Sequence, residues 1–586
     1  MRQWMVAAKK ADFYVIAEKF HVDPVVARII RNREVIGEKN IRIYLGGNLS
    51  DLSDPHQMKD MDRLVEILAQ KIRKQVHIRI IGDYDVDGVT SSHLFLTALR
   101  RVGAKVDVVI PHRIQDGYGL SLHLLQQAKE DGVDTILTCD NGIAAIDEIA
   151  WAKAQKMTVL VTDHHAVPFE EHEGRRTEKK SLADAVVNPH QQDCGYPYKE
   201  LCGAGVAWNV IRVLYENYDM DKREAEDLLD FVAMATVCDV MSLTGENRIL
   251  VKEGLKRIRH TKNIGLQALM QACNVQPENI SAYHFGYVLG PCVNATGRLD
   301  TARHALRLFE TGQETEAEEI ARDLVDLNQE RKELTLQGVE MAKKLCEEGG
   351  YEKDPVLVLF LPDVHESIAG LIAGRIREMY NRPVFVLTRG EEGVKGSGRS
   401  TENYSMYENM CGCAELFTKF GGHPMAAGLS LPEENVEKFR RKINENCPLT
   451  VEEVCPDIHI DMAMPVGYAS TELVHQFALL EPFGKDNPSP LFADRNLSIS
   501  RMWLIGKNRN VLRMSVLSEY GQPVPVIFFG DVETLFAYFT EKFGQKEVEN
   551  ALHGRKNRIL FSMVYTAKID FYQGNENLQL EMKYYR

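Results

Sequence analysis

The chain of 586 residues has no hydrophobic run long enough to cross a membrane, and nothing near its N-terminus resembles a signal peptide. It also lacks an excess of basic residues, because 84 Asp and Glu against 70 Lys and Arg give a net charge of −14. Its 11 cysteines include no C-x-x-C pair. These absences argue against a membrane protein, a disulfide scaffold and a generally basic nucleic-acid coat. We therefore expect a soluble, cytoplasmic protein with reduced thiols.

The length predicts three or four domains, because a single hydrophobic core does not grow this large. Strand-like and helix-like segments alternate over 75–240, a long charged helix is indicated near 301–350, and short alternating runs dominate after 449. We expect Gly-rich turns at 395–400 and 421–428. The predicted parts are an N-terminal helical segment (1–70), an α/β catalytic domain (71–300), a connecting helix (301–350), a second α/β domain (351–448) and an OB-fold-like β-barrel (449–586).

Three hydrophobic runs in the first third of the chain end in acidic residues. The runs are HIRII (77–81), DTILTC (134–139) and TVLVT (158–162). Each has the length and β-branched content of a buried strand, and helix-like segments between them predict a parallel sheet. The residues that follow the runs are Asp83, Asp85 and Asp87, then Asp140, then Asp163, His164 and His165. Since the carboxyl ends of parallel strands meet at one edge, we expect these side chains to converge.

So many carboxylates in one crevice are costly unless divalent cations neutralise them. A mixture of carboxylate and imidazole donors suits Mn²⁺, Mg²⁺ or similar ions. Asp239 follows an apolar helix and can reach the same edge. Two such ions align an attacking water and stabilise a leaving oxygen at phosphorus. The pattern therefore predicts a metal-dependent enzyme that acts on phosphate esters.

Two other metal sites are less consistent with the sequence. Residues 83–88 match the start of an EF-hand loop, but position 12 of that loop is Leu94 instead of Glu, and the preceding segment reads as a strand. A zinc site at Cys411, Cys413 and His423 lacks an apparent fourth ligand. Neither alternative accounts for the convergence of three acidic strand ends.

An ordered set of motifs resembles the DHH phosphoesterase superfamily and, within it, the RecJ family of single-strand-specific exonucleases. The resemblance covers nearly the whole chain. The motifs are GDYDVDGVTS (82–91), PHRIQDGYGL (111–120), CDNG (139–142), TDHH (162–165), VVNPH (186–190), LCGAGVAW (201–208), ATVCDVMSL (235–243), PCVNATGRLD (291–300), KGSGRS (395–400), GGHPMAAG (421–428) and LLEPFGKDNPSPLF (479–492). The resemblance implies an α/β fold with a parallel-sheet DHH domain, a long connecting helix, a second α/β DHH-associated domain and a C-terminal OB-fold.

The resemblance also implies roles for the acidic cluster. It implies two Mn²⁺ or Mg²⁺ ions held by Asp85, Asp87, Asp140, His164 and Asp239. Asp83 and His165 are then supporting residues of the same catalytic centre. Arg298 is expected over the scissile phosphate, where it neutralises charge in the transition state. His423 is expected to assist near that phosphate.

Substrate contacts follow from the same likeness. Arg113, Ser397 and Arg399 resemble a pocket that grips a terminal 5′-phosphate, since forked donors and backbone N–H groups suit that anion. If the 5′ end of the DNA strand is held at a fixed distance from the metals, the enzyme is expected to remove single nucleotides in the 5′→3′ direction. Candidate contacts for single-stranded bases are Tyr118 and, in the OB-like tail, Trp503, Lys507 and Arg509.

The implied function is a single-stranded-DNA-specific 5′→3′ exonuclease of DNA repair and recombination. A single-strand-binding protein and a helicase are expected partners, and the chain is expected to be a monomer. Two alternatives stay open. One is a phosphodiesterase or phosphatase of the same superfamily that acts on short oligonucleotides or pAp. The other is a non-catalytic replication scaffold, although every proposed metal ligand is present here.

Overall fold

The structure is a computed structural model that describes residues 3–113, 116, 119–172, 175–351, 353–390, 393–506, 509–572 and 574–586. The chain divides into two compact units. The first contains residues 52–241 and 249–456. The second contains residues 3–51, 242–248 and 457–586, so it is assembled from three separate stretches of chain.

The strands within the described residues are numbered in chain order. They are β1 (Trp4–Val6), β2 (Ile78–Ile81), β3 (Val106–Val109), β4 (Thr135–Cys139), β5 (Thr158–Thr162), β6 (Phe169–His172), β7 (Arg175–Glu178), β8 (Ala185–Val187), β9 (Leu357–Phe360), β10 (Val384–Gly390), β11 (Gly393–Arg399), β12 (Lys419–His423), β13 (Ala426–Leu431), β14 (Ile458–Ile460), β15 (Met462–Ala463), β16 (Phe492–Ile505), β17 (Val511–Leu517), β18 (Pro523–Phe528), β19 (Leu560–Tyr572) and β20 (Asn575–Tyr585).

The α-helices within the same residues are numbered likewise. They are α1 (Phe13–Phe20), α2 (Pro24–Asn32), α3 (Glu38–Gly46), α4 (Met61–Arg73), α5 (Val86–Arg101), α6 (Leu122–Glu130), α7 (Ile146–Ala154), α8 (Gly203–Asn217), α9 (Arg223–Glu226), α10 (Leu229–Cys238), α11 (Gly245–Ile258), α12 (Ile264–Ala272), α13 (Ala282–His284), α14 (Gly290–Leu299), α15 (Arg303–Glu310), α16 (Glu314–Glu348), α17 (Ala369–Tyr380), α18 (Met406–Cys411), α19 (Val436–Glu445), α20 (Thr471–Phe477), α21 (Val532–Phe543) and α22 (Gln545–Leu552). A π-helix (Phe285–Leu289) joins α13 to α14.

The part of the first unit that was predicted to be catalytic is built on a parallel sheet in the order β3-β2-β4-β5-β8. All four residues of β2 and all five of β4 are buried, as expected for strands covered on both faces. The three hydrophobic runs that end in acidic residues are therefore the neighbouring strands β2, β4 and β5, and the carboxyl ends of these strands lie at one edge of the sheet. The predicted parallel α/β fold is confirmed.

The predicted connecting helix is also confirmed, because α16 runs for 35 residues. After it comes a five-stranded sheet in the order β12-β13-β11-β10-β9. In this sheet only the β9–β10 pair, among the pairings described, is parallel. Helix α17 lies between β9 and β10 in the chain, as a β-α-β crossover requires.

The prediction of a Gly-rich turn at 395–400 was wrong, whereas the predicted turn at 421–428 contains the two-residue turn of a β-hairpin. Residues 393–399 form β11, and residues 421–428 fall largely in β12 and β13, which pair as a hairpin. Side chains from neighbouring elements occupy the space above Gly396 and Gly398 of β11. A Cβ on Gly396 would lie 2.4 Å from Leu387, and one on Gly398 would lie 2.3 Å from the Met406 sulfur. Glycine is present here for close packing within a strand and not for turning the chain.

The second unit contains the predicted β-barrel. Its six-stranded sheet has the order β15-β16-β17-β18-β20-β19, and an additional β16–β19 pairing closes it. Strand β17 alternates buried and outward-facing residues, as a barrel wall does. Helices α1 to α3 pack against the same hydrophobic core as the barrel, through residues such as Val26, Ile30 and Tyr44.

Among the described residues, none of the helices is both long and apolar enough to span a membrane.

Candidate metal centre

The turn after β2 carries the first group of carboxylates. Asp85 caps α5, because its side chain accepts a hydrogen bond from the backbone N–H of Gly88. Asp87 lies in the first turn of α5 and accepts hydrogen bonds from the backbone N–H groups of Gly203 (2.6 Å) and Ala204 (2.8 Å) at the start of α8. The N-terminus of α8 therefore fixes the orientation of the Asp87 carboxylate.

Strands β4 and β5 and helix α10 bring the remaining ligand candidates to the same edge. Asp140 follows β4 and has a φ of +61°, a left-handed conformation that few residues other than glycine adopt. His164 follows β5 by two residues, and Asp239 is the C-terminal cap of α10. Such strain at the end of a buried strand is typical of functional sites.

His164 lies at the centre of the cluster. Its Nε2 atom is 3.0 Å from Asp140 Oδ1, 3.6 Å from Asp239 Oδ2 and 3.7 Å from Asp87 Oδ2. Three overlapping groups of donor atoms, each within 4.8 Å of one another, could hold a metal ion. They are Asp140 with His164 and His165, Asp87 with His164 and Asp239, and Asp83 with Asp85 and Asp140.

Burial makes this cluster electrostatically unfavourable without a cation. Removal from water raises the pKa of Asp83, Asp85 and Asp140, and the neighbouring carboxylates raise it further. Burial also lowers the pKa of His164, which favours the neutral imidazole that binds metals. The side chains of Asp83 and Asp140 are almost fully buried.

The donor set fits one or two divalent ions. It contains five carboxylates and two imidazoles, which are the ligand types that Mn²⁺ and Mg²⁺ accept. One oxygen of Asp83 is buried and, among the described residues, meets no hydrogen-bond partner. A buried polar atom without a partner costs free energy unless a ligand satisfies it. Bound cations would meet that need and offset the repulsion between the carboxylates.

Asp163 is a positioning residue to which the sequence reasoning gave no separate role. Its buried carboxylate accepts hydrogen bonds from the backbone N–H groups of Ile143, His164 and His165, and it lies 2.8 Å from the His165 ring nitrogen. Burial alone raises the pKa of Asp163, but the hydrogen bond with His165 and the nearby histidines lower it overall. The same contact outweighs the effect of burial on His165 and raises its pKa to about 9.

A second cluster, of arginines, adjoins the carboxylates. Helix α14 packs on the acidic turn, where the Asn294 side chain accepts a hydrogen bond from the N–H of Val86. A Cβ on Gly297 would lie 2.4 Å from the backbone oxygen of Tyr84, so this approach requires glycine. Arg298 follows directly, and its guanidinium donates a hydrogen bond to the backbone oxygen of Ser367 (2.7 Å).

The arginines are close enough to affect one another. Burial, together with the charges of Arg113 and Arg399, lowers the pKa of Arg298 to about 10. Burial likewise lowers the pKa of Arg399. Several half-buried cations that repel one another form a site suited to an anion, and phosphate matches the forked geometry of guanidinium groups.

Two of the predicted phosphate-gripping residues, Arg113 and Arg399, belong to this arginine cluster. A cavity of about 400 Å³ is lined by residues that include Arg113, Ser397 and Lys395. Ser397 and Arg399 are two residues apart on β11 and so share one face of the sheet. A Cβ on Gly370, at the start of α17, would lie 2.8 Å from the Arg399 guanidinium and 3.4 Å from the Ser397 hydroxyl.

His423 is an exposed residue at the end of β12, and it belongs to none of the metal-capable groups found among the described residues. Tyr118 and Lys507 lie outside the described residues. Trp503 is on β16, with the guanidinium groups of Arg501 and Arg513 5.7 and 5.9 Å from its ring. Arg509 follows that strand.

Family models match three parts of the chain. The N-terminal domain of the DHH family matches residues 77–236, the DHHA1 domain matches residues 353–447, and the RecJ OB domain matches residues 460–584. A curated relative from Haemophilus influenzae, the single-stranded-DNA-specific exonuclease RecJ, is 32% identical over 582 residues and covers 96% of each chain. The chain belongs to the RecJ family.

A second RecJ family relative, the exonuclease of the same name from Bacillus subtilis, is 33% identical over 511 residues. That match covers 86% of this chain and 63% of the relative, so this chain spans less than two thirds of the Bacillus protein. Among solved RecJ structures, the Mn²⁺ complex from Thermus thermophilus has a TM-score of 0.79. It is 24% identical and covers 100% of this chain and 79% of that chain, and this likeness shows the fold.

A further RecJ structure, described as an exonuclease bound to manganese, is 32% identical with a TM-score of 0.57. It covers 66% of this chain and 94% of that chain. The combination of a DHH domain, a DHHA1 domain and a RecJ OB domain accords with the fold predicted from the sequence.

Proposed function

We propose that this protein is a metal-dependent exonuclease that hydrolyses single-stranded DNA from its 5′ end and releases 5′-mononucleotides. The observation that carries the proposal is the convergence of five carboxylates, three of them buried, and two histidines at one sheet edge, directly beside half-buried arginines. Its family relatives are named as single-stranded-DNA-specific exonucleases, and solved structures in the family contain Mn²⁺ or Mg²⁺.

The chain's own residues would hold the metals and orient the substrate. Asp85, Asp87, Asp140, His164 and Asp239 are the proposed ligands of two divalent ions, with Asp83 and His165 supporting them. Such ions, when bound, supply Lewis acidity and lower the pKa of the attacking water. Protein residues fix the ligand geometry, as the N–H groups at the start of α8 do for Asp87.

Arg298 is proposed to bind the scissile phosphate and to stabilise the charge that grows on its oxygens in the transition state. Its hydrogen bond to the Ser367 oxygen holds one end of the guanidinium and leaves the other donors available for phosphate. Since α14 packs directly on the acidic turn, the arginine is presented next to the proposed metals. His423 is still proposed to assist near the scissile phosphate. Because its side chain is exposed, it would contact that phosphate only when substrate is bound.

Arg113, Ser397 and Arg399 are proposed to bind the terminal 5′-phosphate, and Arg113 and Ser397 do so from the wall of the 400 Å³ cavity. This cavity lies beside the arginine cluster. A DNA strand whose 5′ end is held in the cavity would therefore present to the cluster a phosphodiester bond near that end. Anchoring of the end accounts for removal of one nucleotide at a time from the 5′ side. Tyr118, Trp503, Lys507 and Arg509 are proposed contacts for the rest of the strand.

We further propose that the enzyme acts in the cytoplasm as a monomer, in DNA repair and recombination. Single-strand-binding protein and a helicase are the proposed partners, because the enzyme requires a strand that has been separated from its complement.

Digestion of a long DNA strand tests the proposal. The substrate is a 5′-phosphorylated, 3′-labelled single strand incubated with Mn²⁺ or Mg²⁺, beside the matching duplex. We expect progressive shortening from the 5′ end and release of mononucleotides on the single strand alone. Asp140→Asn keeps the volume of the side chain but loses its charge, and it is expected to be inactive. Cleavage confined to dinucleotides or pAp would instead favour the small-substrate alternative, and no cleavage at all would favour the scaffold.

A further inference from the structure

Two cysteines are in contact, and one of them is on the helix that carries Arg298. Cys273 is the C-terminal cap of α12, and Cys292 is the third residue of α14. Their sulfur atoms are 3.7 Å apart, which is van der Waals contact. Both are free thiols. Neither has a part in the proposed hydrolysis.

The surroundings of the two sulfurs differ in a way that suits a reactive thiol and its resolving partner. Cys273 is partly exposed, whereas Cys292 is buried. The Cys292 sulfur lies 3.3 Å from the backbone oxygen of Val288 and accepts a hydrogen bond from the Asn328 amide (3.3 Å). The hydrogen bond from Cys292 is the main cause that lowers the pKa of Cys273, and the charge of Lys332 contributes. Accessible thiolates near a cation and a second thiol are the usual targets of oxidants.

We propose that Cys273 and Cys292 form an oxidation site that a hydroperoxide converts to a disulfide. The Cys273 thiolate attacks one oxygen of the hydroperoxide, the O–O bond breaks, and the other oxygen leaves as an alcohol or water after taking up a proton. Cys273 is then a sulfenic acid. The Cys292 sulfur attacks that sulfur, the S–O bond breaks, and the hydroxyl leaves as water with the Cys292 proton. Two thiols are thus oxidised and one hydroperoxide is reduced.

Closure of the disulfide affects the helix that presents Arg298. The sulfur atoms must move from 3.7 Å to about 2.05 Å apart, which draws the start of α14 towards the end of α12. Asn294 and Arg298 follow Cys292 on the same helix, and they contact Val86 and Ser367 respectively. A packed helix transmits such a shift along its length. Oxidation is therefore expected to slow digestion and a thiol reductant to restore it.

The test is peptide mapping of the full chain after treatment with hydrogen peroxide and alkylation of the remaining thiols. We expect a linked pair of peptides that contain Cys273 and Cys292, lighter by two hydrogen atoms than the reduced peptides. In Cys292→Ser, oxidation is expected to end at a Cys273 sulfenic acid, which dimedone traps. Cys273→Ser is expected to give no linked pair of peptides. Cys411→Ser removes an exposed cysteine elsewhere and is the matched control, in which the link still forms.

Absence of the linked pair in wild type, or its persistence in Cys273→Ser, would overturn the proposal. The link does not depend on any nuclease activity, so it can be judged even if the proposed function fails. The effect on digestion does rest on the proposed function. We expect the oxidised wild-type protein to digest single-stranded DNA about tenfold to a hundredfold more slowly than the reduced protein, since small misplacements of catalytic groups reduce rates by this much. Cys273→Ser is expected to keep its rate in peroxide, and an equal loss in that variant would contradict the role of the disulfide.

Discussion

At the scale of single residues, Gly203 determines how closely helix α8 approaches the proposed ligands. A Cβ at this position would lie 2.6 Å from the Asp140 Cβ, whereas a Cβ on Gly205 would lie no closer than 3.4 Å to Leu201. We expect Gly203→Ala to displace Asp140 and to reduce metal-dependent digestion about a hundredfold. Gly205→Ala, on the same helix, is the matched control and should stay near the wild-type rate. Equal rates in the two variants would show that the packing around Asp140 is unimportant.

Arg298 provides a second test at this scale. If it stabilises the transition state, Arg298→Ala should lower kcat/KM about 100- to 1,000-fold while the fold is retained. Arg298→Lys keeps the charge but loses the forked donors, and we expect it to recover only part of the rate. Arg303→Ala removes an exposed arginine on α15 and is the control. Steady-state digestion of a single strand checks the prediction, and an unchanged kcat/KM in Arg298→Ala would remove Arg298 from the mechanism.

The acidic cluster could be predicted from single residues because the carboxyl ends of neighbouring parallel strands must lie at one edge of a sheet. The structure brings together all seven side chains of the predicted metal centre, which are Asp83, Asp85, Asp87, Asp140, His164, His165 and Asp239. The positions that sequence reasoning missed act through backbone geometry. Asp163 was seen only as part of a run, although it binds three backbone N–H groups. Gly203 lay in a motif without an assigned role, because contacts between distant parts of the chain carry no local signal.

At the scale of elements, hydrophobic runs predicted the buried strands well. The run at 158–162 coincides with β5, and the run at 511–517 coincides with β17. The glycines of β11 were predicted to form a turn, because glycine is common in turns. In the structure they instead allow close packing against Leu387 and Met406. The apolar helix expected before Asp239 is α10, and two residues interrupt the helical backbone between α9 and α10. Such breaks depend on tertiary contacts that a local pattern does not contain.

Arg248 ties together the separate stretches of the second unit. Its buried guanidinium donates hydrogen bonds to the backbone oxygens of Tyr44, Leu479 and Leu480, and it stacks 4.0 Å from the Tyr44 ring centre. Arg248→Ala would remove this donor from the carbonyl groups of Tyr44 and Leu479, whereas Leu480 would keep its hydrogen bond from the Asn487 amide. We expect it to lower the free energy of unfolding of this unit by about 3 to 5 kcal/mol.

Tryptophan fluorescence measures this effect in one unit at a time. Trp4 and Trp503 belong to the second unit, whereas Trp151 and Trp208 belong to the first. In a background with Trp151→Phe and Trp208→Phe, urea unfolding followed by fluorescence reports on the second unit. Arg42→Ala, which changes a largely exposed arginine, is the control. A midpoint for Arg248→Ala equal to that of the control would contradict the prediction.

At the scale of the whole molecule, the types of domain and their order could be predicted from the chain. The joining of residues 3–51 and 242–248 to the C-terminal barrel in one compact unit was not predicted. The reason is physical: helices α1 to α3 bury their apolar faces against the barrel core, and amphipathic periodicity does not say which core a helix will cover. The predicted linear boundaries remain predictions, since the compact units are not contiguous in the chain.

Hydrolysis by this protein depends, in the proposed mechanism, on metals bound by the cluster at the ends of β2, β4 and β5. Equilibrium dialysis of the full chain against Mn²⁺ measures this binding directly, without substrate. We predict about two ions bound per wild-type chain, as a two-metal site requires, and fewer in Asp140→Asn. Gly205→Ala should bind as wild type does. If wild type binds no Mn²⁺, or if Asp140→Asn binds as much as wild type, this cluster is not the metal site.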